Sequence, residues 1–296
     1  MAFRGIYKAP ELVPSPVGLF SVARVMTHTA REYDERWVRG FAYEFDSFAT
    51  VRLLTVNDDV VSNGELSDPA NTPDNNYRDY FPFFIEVEDG RSTFGLPGED
   101  RFALVIKQLE AASQKACERE LWDGLAARAA TNGNSYLTEA ASVTEVLNGV
   151  HNASEALYLL EGALANSSVG ANGVIHMTRD VASLLGSRLV YSQDSSNPDK
   201  GQVMTRLGTP VVIGSGYSGN GPVGDGAAAA SLTNKWMFAT GPVDVHLGKP
   251  EVVNDSLAQG ANVSINDMLI KAVRPAAVYF DPSVHFCAQV TLPSVA

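Results

Sequence analysis

The 296-residue chain is poor in cysteine and has no long apolar run. Its two cysteines, Cys117 and Cys287, are far apart, and neither belongs to a C-x-x-C motif. A disulfide between them stays possible but has no support from the sequence. The simpler interpretation is two small buried apolar residues in a reducing compartment. No run of about 18 apolar residues occurs, so no transmembrane helix is predicted, and the first residues lack the apolar core of a signal peptide.

Positive charge is also scarce. The chain has 22 lysines and arginines against 34 aspartates and glutamates, which gives a formal net charge of −12 and a pI near 4.8. The basic residues form no run of the kind found in nucleic-acid-binding tails. This balance argues against tight wrapping of nucleic acid. An acidic surface that faces DNA would instead repel the polymer and leave it mobile.

A catalytic or metal-binding arrangement of side chains is missing as well. The five histidines are well separated, and none is next to a cysteine: His28, His151, His176, His246 and His285. This spacing predicts no metal site. His176 and His285 lie in apolar stretches and are predicted to be strand residues with hydrogen-bonded ring nitrogens. Ser215 lies between two glycines but outside the G-x-S-x-G motif of hydrolases. We therefore predict no catalytic residue, no cofactor-binding residue and no metal ligand, and a protein that is not an enzyme.

A glycine-rich stretch, Gly214–Gly219, fits the pattern G-x-G-x-x-G and follows a predicted strand. In dinucleotide-binding proteins this pattern requires a helix that opens at the third glycine, so that the helix N-terminus meets the pyrophosphate. Here Asn220, Gly221 and Pro222 follow, and a helix cannot readily start through them. Asp244 is only loosely placed for the expected acidic residue. We therefore favour a loop between strands, with a nucleotide-binding enzyme as the alternative.

The longest regular pattern in the chain is Phe102–Ala129, in which apolar residues recur every three or four positions. Such a stripe predicts an amphipathic α-helix, about 33 Å long if it runs from Phe102 to about Asp123. The stripe consists of Phe102, Val105, Ile106, Leu109, Ala112, Ala116, Leu121, Trp122 and Leu125. Gly124 is expected to weaken or end the helix.

The N-terminal residues are predicted to be extended. Residues 1–29 contain Pro10, Pro14 and Pro16 and are interpreted as an arm that is not a packed element. Such an arm needs a surface on which to lie, for which a neighbouring subunit is one candidate; the alternative is a frayed terminus. If the arm contacts neighbours, a chain without these residues should still fold.

A long hairpin is predicted between the arm and the long helix. Glu32–Gly40 is predicted to be a short helix or turn. Phe41–Val56 and Tyr80–Val87 are predicted strands, and Ser92–Leu96 is a candidate continuation of the second. The polar stretch Asn57–Asn76 between the strands is predicted to be a loop. A loop of this length is unusual in a compact domain unless it has a function of its own.

Beyond the long helix, strands and helices alternate over about residues 146–232, which is an α/β pattern. Tyr136–Val150 shows no strong period. Ser154 is predicted to cap a helix that ends at Ala165, and Thr178 is predicted to cap a helix over Arg179–Leu185. The predicted strands, which dominate the last quarter, are Val174–Met177, Leu189–Tyr191, Thr209–Gly214, Lys235–Thr240, Val243–Leu247, Val263–Val273 and Ala276–Leu292.

These parts, in this order, resemble the major capsid proteins of tailed double-stranded DNA phages, which have the HK-ninety-seven-like fold. The resemblance is to capsid proteins of actinobacterial phages (mycobacteriophage type) and covers most of residues 32–292. The stretches that carry it are LEAASQKACERELWDG (Leu109–Gly124), LLEGALANSSVGANGVIHMTRDVA (Leu159–Ala182), LGTPVVIGSGYSGNGPVG (Leu207–Gly224), WMFATGPVDVHLG (Trp236–Gly248) and AVRPAAVYFDP (Ala272–Pro282). Their order carries more weight than any one of them.

The resemblance implies an α+β chain with five parts. These would be an N-terminal arm (1–39), an extended E-loop hairpin (40–97), a P-domain with a long spine helix at about 102–123 (98–141), an α/β A-domain (142–234) and strands that return to the P-domain (235–296). A fused scaffolding domain is not expected in this chain.

The implied function is structural. The chain would self-assemble as hexamers and pentamers into an icosahedral phage head that encloses double-stranded DNA. Its partners would be copies of itself, a separate scaffolding protein, a portal and minor or decoration proteins, with DNA contacted weakly and without sequence specificity, and no membrane. Assembly would occur in the host bacterial cytoplasm, and the protein would reside in the virion. The alternatives are an encapsulin-type nanocompartment shell and a nucleotide-binding enzyme that uses Gly214–Gly219.

Overall fold

The computed structural model describes residues 13–28, 36–44, 77–92, 101–130, 134–167, 173–193, 201–222, 233–253 and 267–293. The helices within these residues are α1 (Arg36–Arg39), α2 (Arg101–Asp123), α3 (Leu125–Ala130), α4 (Ala153–Ala165) and α5 (Arg179–Leu185). The strands are β1 (Arg24–Thr27), β2 (Phe41–Glu44), β3 (Tyr77–Tyr80), β4 (Phe83–Ser92), β5 (Thr144–His151), β6 (Val174–Met177), β7 (Leu189–Gln193), β8 (Gly201–Thr205), β9 (Pro210–Ile213), β10 (Asn234–Thr240), β11 (Val243–Leu247), β12 (Glu251–Val253), β13 (Asp267–Phe280) and β14 (His285–Thr291).

The long helix α2 confirms the prediction from the apolar stripe. Val105, Leu109 and Trp122 on the stripe are buried, whereas Phe102 and Leu125 at its two ends are 40% and 47% exposed. The helix packs across β13 and β4. It therefore buries the middle of its stripe against a sheet and leaves both ends of the stripe open.

Gly124 ends α2, as predicted, and lets a second helix begin. Its φ of 57° lies in the left-handed region, which glycine adopts at little cost. The buried carboxylate of Glu120 then accepts hydrogen bonds from the backbone N–H groups of Ala126 (2.7 Å) and Ala127 (2.9 Å). Negative charge at these positions stabilises the N-terminus of α3.

The first of the two large sheets is built around the 14-residue strand β13. β11, β12 and β4 pair with it in antiparallel fashion, and β1 adds to β11 in parallel. The prediction of two separate strands, broken between Val273 and Ala276, was wrong. Pro275 has no N–H to donate, but its carbonyl accepts from Gly248 N (2.8 Å), and the strand continues through it.

The second large sheet has seven strands in the order β5-β14-β10-β6-β9-β8-β7. Leucines and alanines of α4, with Val181 and Leu185 of α5, pack against it and form a separate apolar core. β10 and β14, which come from the last quarter of the chain, lie between β5 and β6 in this sheet. The predicted boundary at residue 234 therefore does not coincide with the division between the two sheets.

Most of the predicted elements around this second sheet are present, with corrections at the caps. α4 begins one residue earlier than predicted, and Asn152, not Ser154, caps it: Asn152 Oδ1 accepts from Glu155 N (3.0 Å). Thr178 occupies the cap position of α5, but its hydroxyl donates to Asp180 instead of accepting from the backbone. Strands β5, β8 and β12 were not predicted.

The N-terminal segment, residues 13–28, packs on its own chain, which contradicts the prediction of an unpacked arm. Leu19 is fully buried in the core beneath α2, and β1 pairs with β11 from Arg24 to Thr27. A 3₁₀ turn, Leu19–Ser21, places the leucine there. Removal of residues 1–29 would take a core residue and a strand from the subunit, so the expectation that such a chain still folds was also wrong.

The base of the predicted hairpin is confirmed by the antiparallel pair β2 and β3, from Phe41 opposite Tyr80 to Glu44 opposite Tyr77. The rest of the first predicted strand and the predicted loop at 57–76 lie outside the described residues. The second predicted strand is interrupted at Phe81 and Pro82, after which β4 joins the first sheet. At this break the Asn134 side chain accepts from Phe81 N and donates to Phe81 O, both at 2.8 Å.

Replacing Trp122 with alanine is expected to lower the free energy of unfolding by about 3–5 kcal/mol. The indole is fully buried, with ring centroids 4.5 Å from Tyr217 and 4.9 Å from Phe238. Chemical denaturation of the purified chain measures the loss. Phe102→Ala on the same helix is the control and should cost much less, because Phe102 is 40% exposed. Equal losses in the two variants would contradict this assignment of the buried face.

Candidate functional site

The glycine-rich stretch that sequence analysis singled out lies along the long helix α2. Residues 214–222, between β9 and β10, contain no helix. Trp122 Nε1 donates to the carbonyl of Asn220 (3.1 Å), and the Ser218 hydroxyl donates to Asp123 Oδ1 (2.7 Å). The helix N-terminus that a nucleotide pyrophosphate needs is therefore not formed here, as the sequence predicted.

A buried carboxylate of α2 occupies the donors of this loop. Glu118 is fully buried, and its Oε2 accepts from Gly216 N (2.8 Å) and from the Ser215 hydroxyl (3.1 Å). Its Oε1 accepts from Leu19 N (3.0 Å) and from Gln114 Nε2 (3.1 Å). The loop does bind an anion, but that anion is a side chain of the same protein. We call this arrangement the Glu118 junction.

Glycine is required at the Glu118 junction because two backbones approach α2 closely. A Cβ atom on Gly216 would lie 2.9 Å from Glu118 Cβ and would clash with the carbonyl oxygen of Lys115. A Cβ atom on Gly18 would overlap the Gln114 amide. The glycines at 18 and 216 are thus explained by packing on a helix, without any ligand.

The Glu118 junction joins three segments that are distant in sequence. Gln114 Nε2 also donates to the carbonyl of Ser15 (3.1 Å), and Ile213 N donates to the carbonyl of Val17 (2.9 Å). The N-terminal segment is therefore hydrogen-bonded both to α2 and to the end of β9. Hydrogen bonds to an ionised group contribute about 1.5–3 kcal/mol each, and a buried charge without them is strongly destabilising.

The two strand histidines differ in their hydrogen bonding. His176 is satisfied at both ring nitrogens, with Tyr217 Oη at 2.9 Å and Thr240 Oγ1 at 3.0 Å, which confirms the prediction. His285 Nδ1 lies 3.2 Å from Ser142 Oγ, but its Nε2 makes no hydrogen bond with the described residues, so that prediction was half wrong. Burial lowers the pKa of each imidazole to about 3.

Neither cysteine has the environment of a nucleophile. Cys117 and Cys287 are both buried and free, as predicted. Burial raises the pKa of the Cys117 thiol well above its ordinary value and that of the Cys287 thiol to about 12. Both thiols therefore stay protonated at neutral pH and pack as small apolar groups.

The described part of the chain shows no assembled metal or membrane site. No group of three or more histidine, cysteine, aspartate or glutamate side chains within it is placed to hold a metal ion. None of its helices combines the length and the apolar character needed to cross a membrane.

The surface carries open grooves and isolated large apolar side chains. One groove, of about 410 Å³, runs between β4 and α2 and is lined by Phe84, Ala112, Lys115 and Arg119, among others. Elsewhere, Leu207 at the turn between β8 and β9 is 81% exposed. Exposed apolar groups of this size are common at surfaces that contact other proteins.

No protein-family model matches the chain, and no curated protein matches it in sequence. Solved structures do match it, over nearly its whole length. A chain of the capsid of an empty GTA particle aligns with a TM-score of 0.55 and 13% identity, covering 99% of this chain and 96% of that chain. A chain of Microbacterium phage Oxtober96 aligns with a TM-score of 0.54 and 13% identity, covering 98% and 95%. A chain of Mycobacterium phage Cain aligns with a TM-score of 0.53 and 11% identity, covering 99% and 96%.

These similarities show the fold. The chain is an α+β protein with the HK-ninety-seven-like fold, as its sequence resemblance implied. The identities of 11–13% are too low to carry more than the fold.

Replacing Glu118 with glutamine is expected to lower the free energy of unfolding by about 2 kcal/mol or more. A glutamine offers one acceptor oxygen, and its NH₂ group would face a backbone N–H of either Leu19 or Gly216, which both donate to Glu118. Glu110→Gln, at an exposed position of the same helix, is the matched control and should change stability little. Identical denaturation curves for the two variants would show that the junction contributes nothing.

The stability of the fold is expected to fall as the pH is lowered from about 6.5 towards 3. Unfolded imidazoles titrate near pH 6.5, whereas the pKa values of His176 and His285 in the fold are about 3. The unfolded state therefore binds more protons in this window, and stability is complete only above it. Urea denaturation at a series of pH values measures the decline, which should be shallower for His285→Gln. A constant stability between pH 7 and pH 4 would contradict it.

Proposed function

We propose that this chain is the major capsid protein of a tailed double-stranded DNA phage. In this role it assembles as hexamers and pentamers into an icosahedral head around the genome. The observation that carries the proposal is the likeness of the fold over 98–99% of the chain and 95–96% of chains from a GTA capsid and from phages. A match of this extent leaves almost no part of the chain outside the shared fold.

The division of the chain in this role follows the sequence resemblance. We assign residues 1–39 to the arm, 40–97 to the E-loop, 98–141 and 235–296 to the P-domain, and 142–234 to the A-domain. The β2–β3 pair supports the E-loop assignment because it is a separate two-stranded sheet. The A-domain assignment includes β10 and β14 as structural support, since both strands lie in its sheet.

The geometry of the subunit suits a building block of a shell. The Glu118 junction fixes the N-terminal segment, α2 and the 214–222 loop as one unit. Large apolar side chains remain exposed on separate elements, such as Val38 on α1 (78%), Tyr158 on α4 (75%) and Leu207 beyond β8 (81%). A subunit that contacts several copies of itself needs apolar surface on more than one side.

The net charge of −12 fits a container that does not immobilise its contents. We propose that the packaged DNA is contacted weakly and without sequence specificity. A separate scaffolding protein, a portal and minor or decoration proteins are the proposed partners, and assembly takes place in the cytoplasm of the host bacterium. The proposed role involves no catalysis and no cofactor.

Negative-stain electron microscopy with light scattering tests this function. The full-length chain, expressed with and without the scaffolding protein of the same phage, should form uniform polyhedral shells in at least one condition. Small oligomers or monomers under both conditions would contradict the proposal. A purified native particle that holds protein cargo and no DNA would instead identify a shell of the encapsulin type.

A single exposed leucine tests whether the A-domain contacts other copies. Leu207→Asp is expected to leave the melting temperature of the unassembled subunit unchanged, because the side chain is 81% exposed. The same change should abolish or strongly reduce shells, since it places a charge in a proposed apolar contact. Leu207→Met is the matched control and should assemble normally. Normal shells from the aspartate variant would exclude this contact.

A further inference from the structure

Two histidines form a direct hydrogen bond where the N-terminal segment meets the first sheet. His28, just after β1, places its Nε2 2.6 Å from Nδ1 of His246 on β11. The two rings are within 10° of parallel, with centroids 4.8 Å apart. A separation of 2.6 Å is too short for rings stacked face to face, so the rings lie nearly edge to edge in one plane. This is the geometry of an N–H···N hydrogen bond.

The pair also holds the base of the β2–β3 hairpin. Tyr43 of β2 makes a short contact from its hydroxyl to the other nitrogen of His246, Nε2. Phe41, on the same strand, lies 4.5 Å from the His246 ring, and Trp37 of α1 lies 5.7 Å from the His28 ring, measured between centroids. Residues from β1, α1, β2 and β11 therefore meet at one histidine pair.

The charged and titratable groups packed around the pair are fixed near neutral pH. Arg24 of β1 forms an ion pair with Asp244 of β11, and the resulting hydrogen bond raises the pKa of the guanidinium. Tyr279 of β13 donates to the same carboxylate, and burial, aided by this bond, raises its pKa far above the ordinary value. Burial raises the pKa of Tyr43 to about 12. Tyr80 of β3, beside Tyr43, donates to the carbonyl of Phe280 (2.7 Å).

The two imidazoles are thus the groups here that change charge in mildly acidic solution. One extra proton is compatible with the contact, because one ring can donate while the other accepts. Two extra protons are not: both facing nitrogens, 2.6 Å apart, would be donors on like-charged rings. The Asp244 carboxylate gives limited relief, because Arg24 and Tyr279 already bind it.

We propose that His28 and His246 form a proton-sensitive clasp, which holds the N-terminal segment and the base of the β2–β3 hairpin on the first sheet at neutral pH and releases them when both rings are protonated. The clasp depends only on contacts within one chain and does not rest on the proposed function. If that function is correct, the clasp controls two segments assigned to contacts with other subunits.

Nuclear magnetic resonance of the wild-type chain tests the clasp without any substitution at the pair. Selective ¹⁵N labelling of histidine gives signals from five residues, and the spectrum of His28→Gln assigns two of them. The expected result is coupled titration of His28 and His246, with a second protonation at clearly lower pH than the first and loss of the shared N–H···N signal at that step. Independent titration of the two rings, each as an isolated imidazole, would overturn the proposal.

Limited proteolysis and Trp37 fluorescence test the release of the two segments. In the wild type, cleavage within residues 13–44 should accelerate at least tenfold between pH 7.5 and pH 5, with a parallel change in Trp37 emission. His28→Gln should already show fast cleavage at pH 7.5, with a ratio between the two pH values near one. His151→Gln, outside the pair, should behave as wild type, with Trp37→Phe as the emission blank.

The buried residues His176 and His285 also destabilise the fold in acid, but they are present in every variant. Their effect is global, so cleavage at sites in α4 and β14 reports it separately. Selective cleavage within residues 13–44 supports the clasp. Cleavage that accelerates equally in all regions, or that keeps its full pH dependence in His28→Gln, would overturn it.

Discussion

The subunit depends on a carboxylate that is buried in its middle. Glu118 lies on the longest helix, and its two oxygens accept from four donors in three segments. Such a group is stable in an apolar interior only while its donors stay in place, because an ion without them is strongly destabilising. The position of the N-terminal turn and the path of the 214–222 loop are therefore coupled. Neither can shift without leaving the charge unsatisfied.

This constraint explains why a familiar glycine pattern does not mark a nucleotide site here. The same features that suit a phosphate cradle, namely free N–H groups and glycines that permit close approach, also suit a carboxylate from a neighbouring helix. What separates the two cases is the residue that follows the last glycine and the helix that does or does not begin there. In this chain Pro222 and the β-strand β10 follow, and the loop packs on α2 instead.

The sequence predicted those elements whose signal is local. The stripe of α2, the helix α4 and the buried strand β6 follow from periodicity and run length, and all three are present. β5 was missed because nearly every position of this edge strand is exposed, which leaves no alternation to detect. The packing of Leu19 was missed because its partner Glu118 is 99 positions away. A signal for the junction did exist, since Gln114, Glu118 and Leu121 share one face of the helix.

The pairing of β1 with β11 links residues about 220 positions apart, and β14, close to the C-terminus, lies between β5 and β10. Both large sheets therefore need strands from the end of the chain. During synthesis, the N-terminal strand has no partner until β11 has left the ribosome, and the seven-stranded sheet is interrupted until β14 has followed. Contacts of such sequence separation form slowly, because the intervening chain must be ordered first. The subunit thus reaches its complete fold only after translation is almost finished, and a chain truncated before β14 would expose two unpaired strand edges.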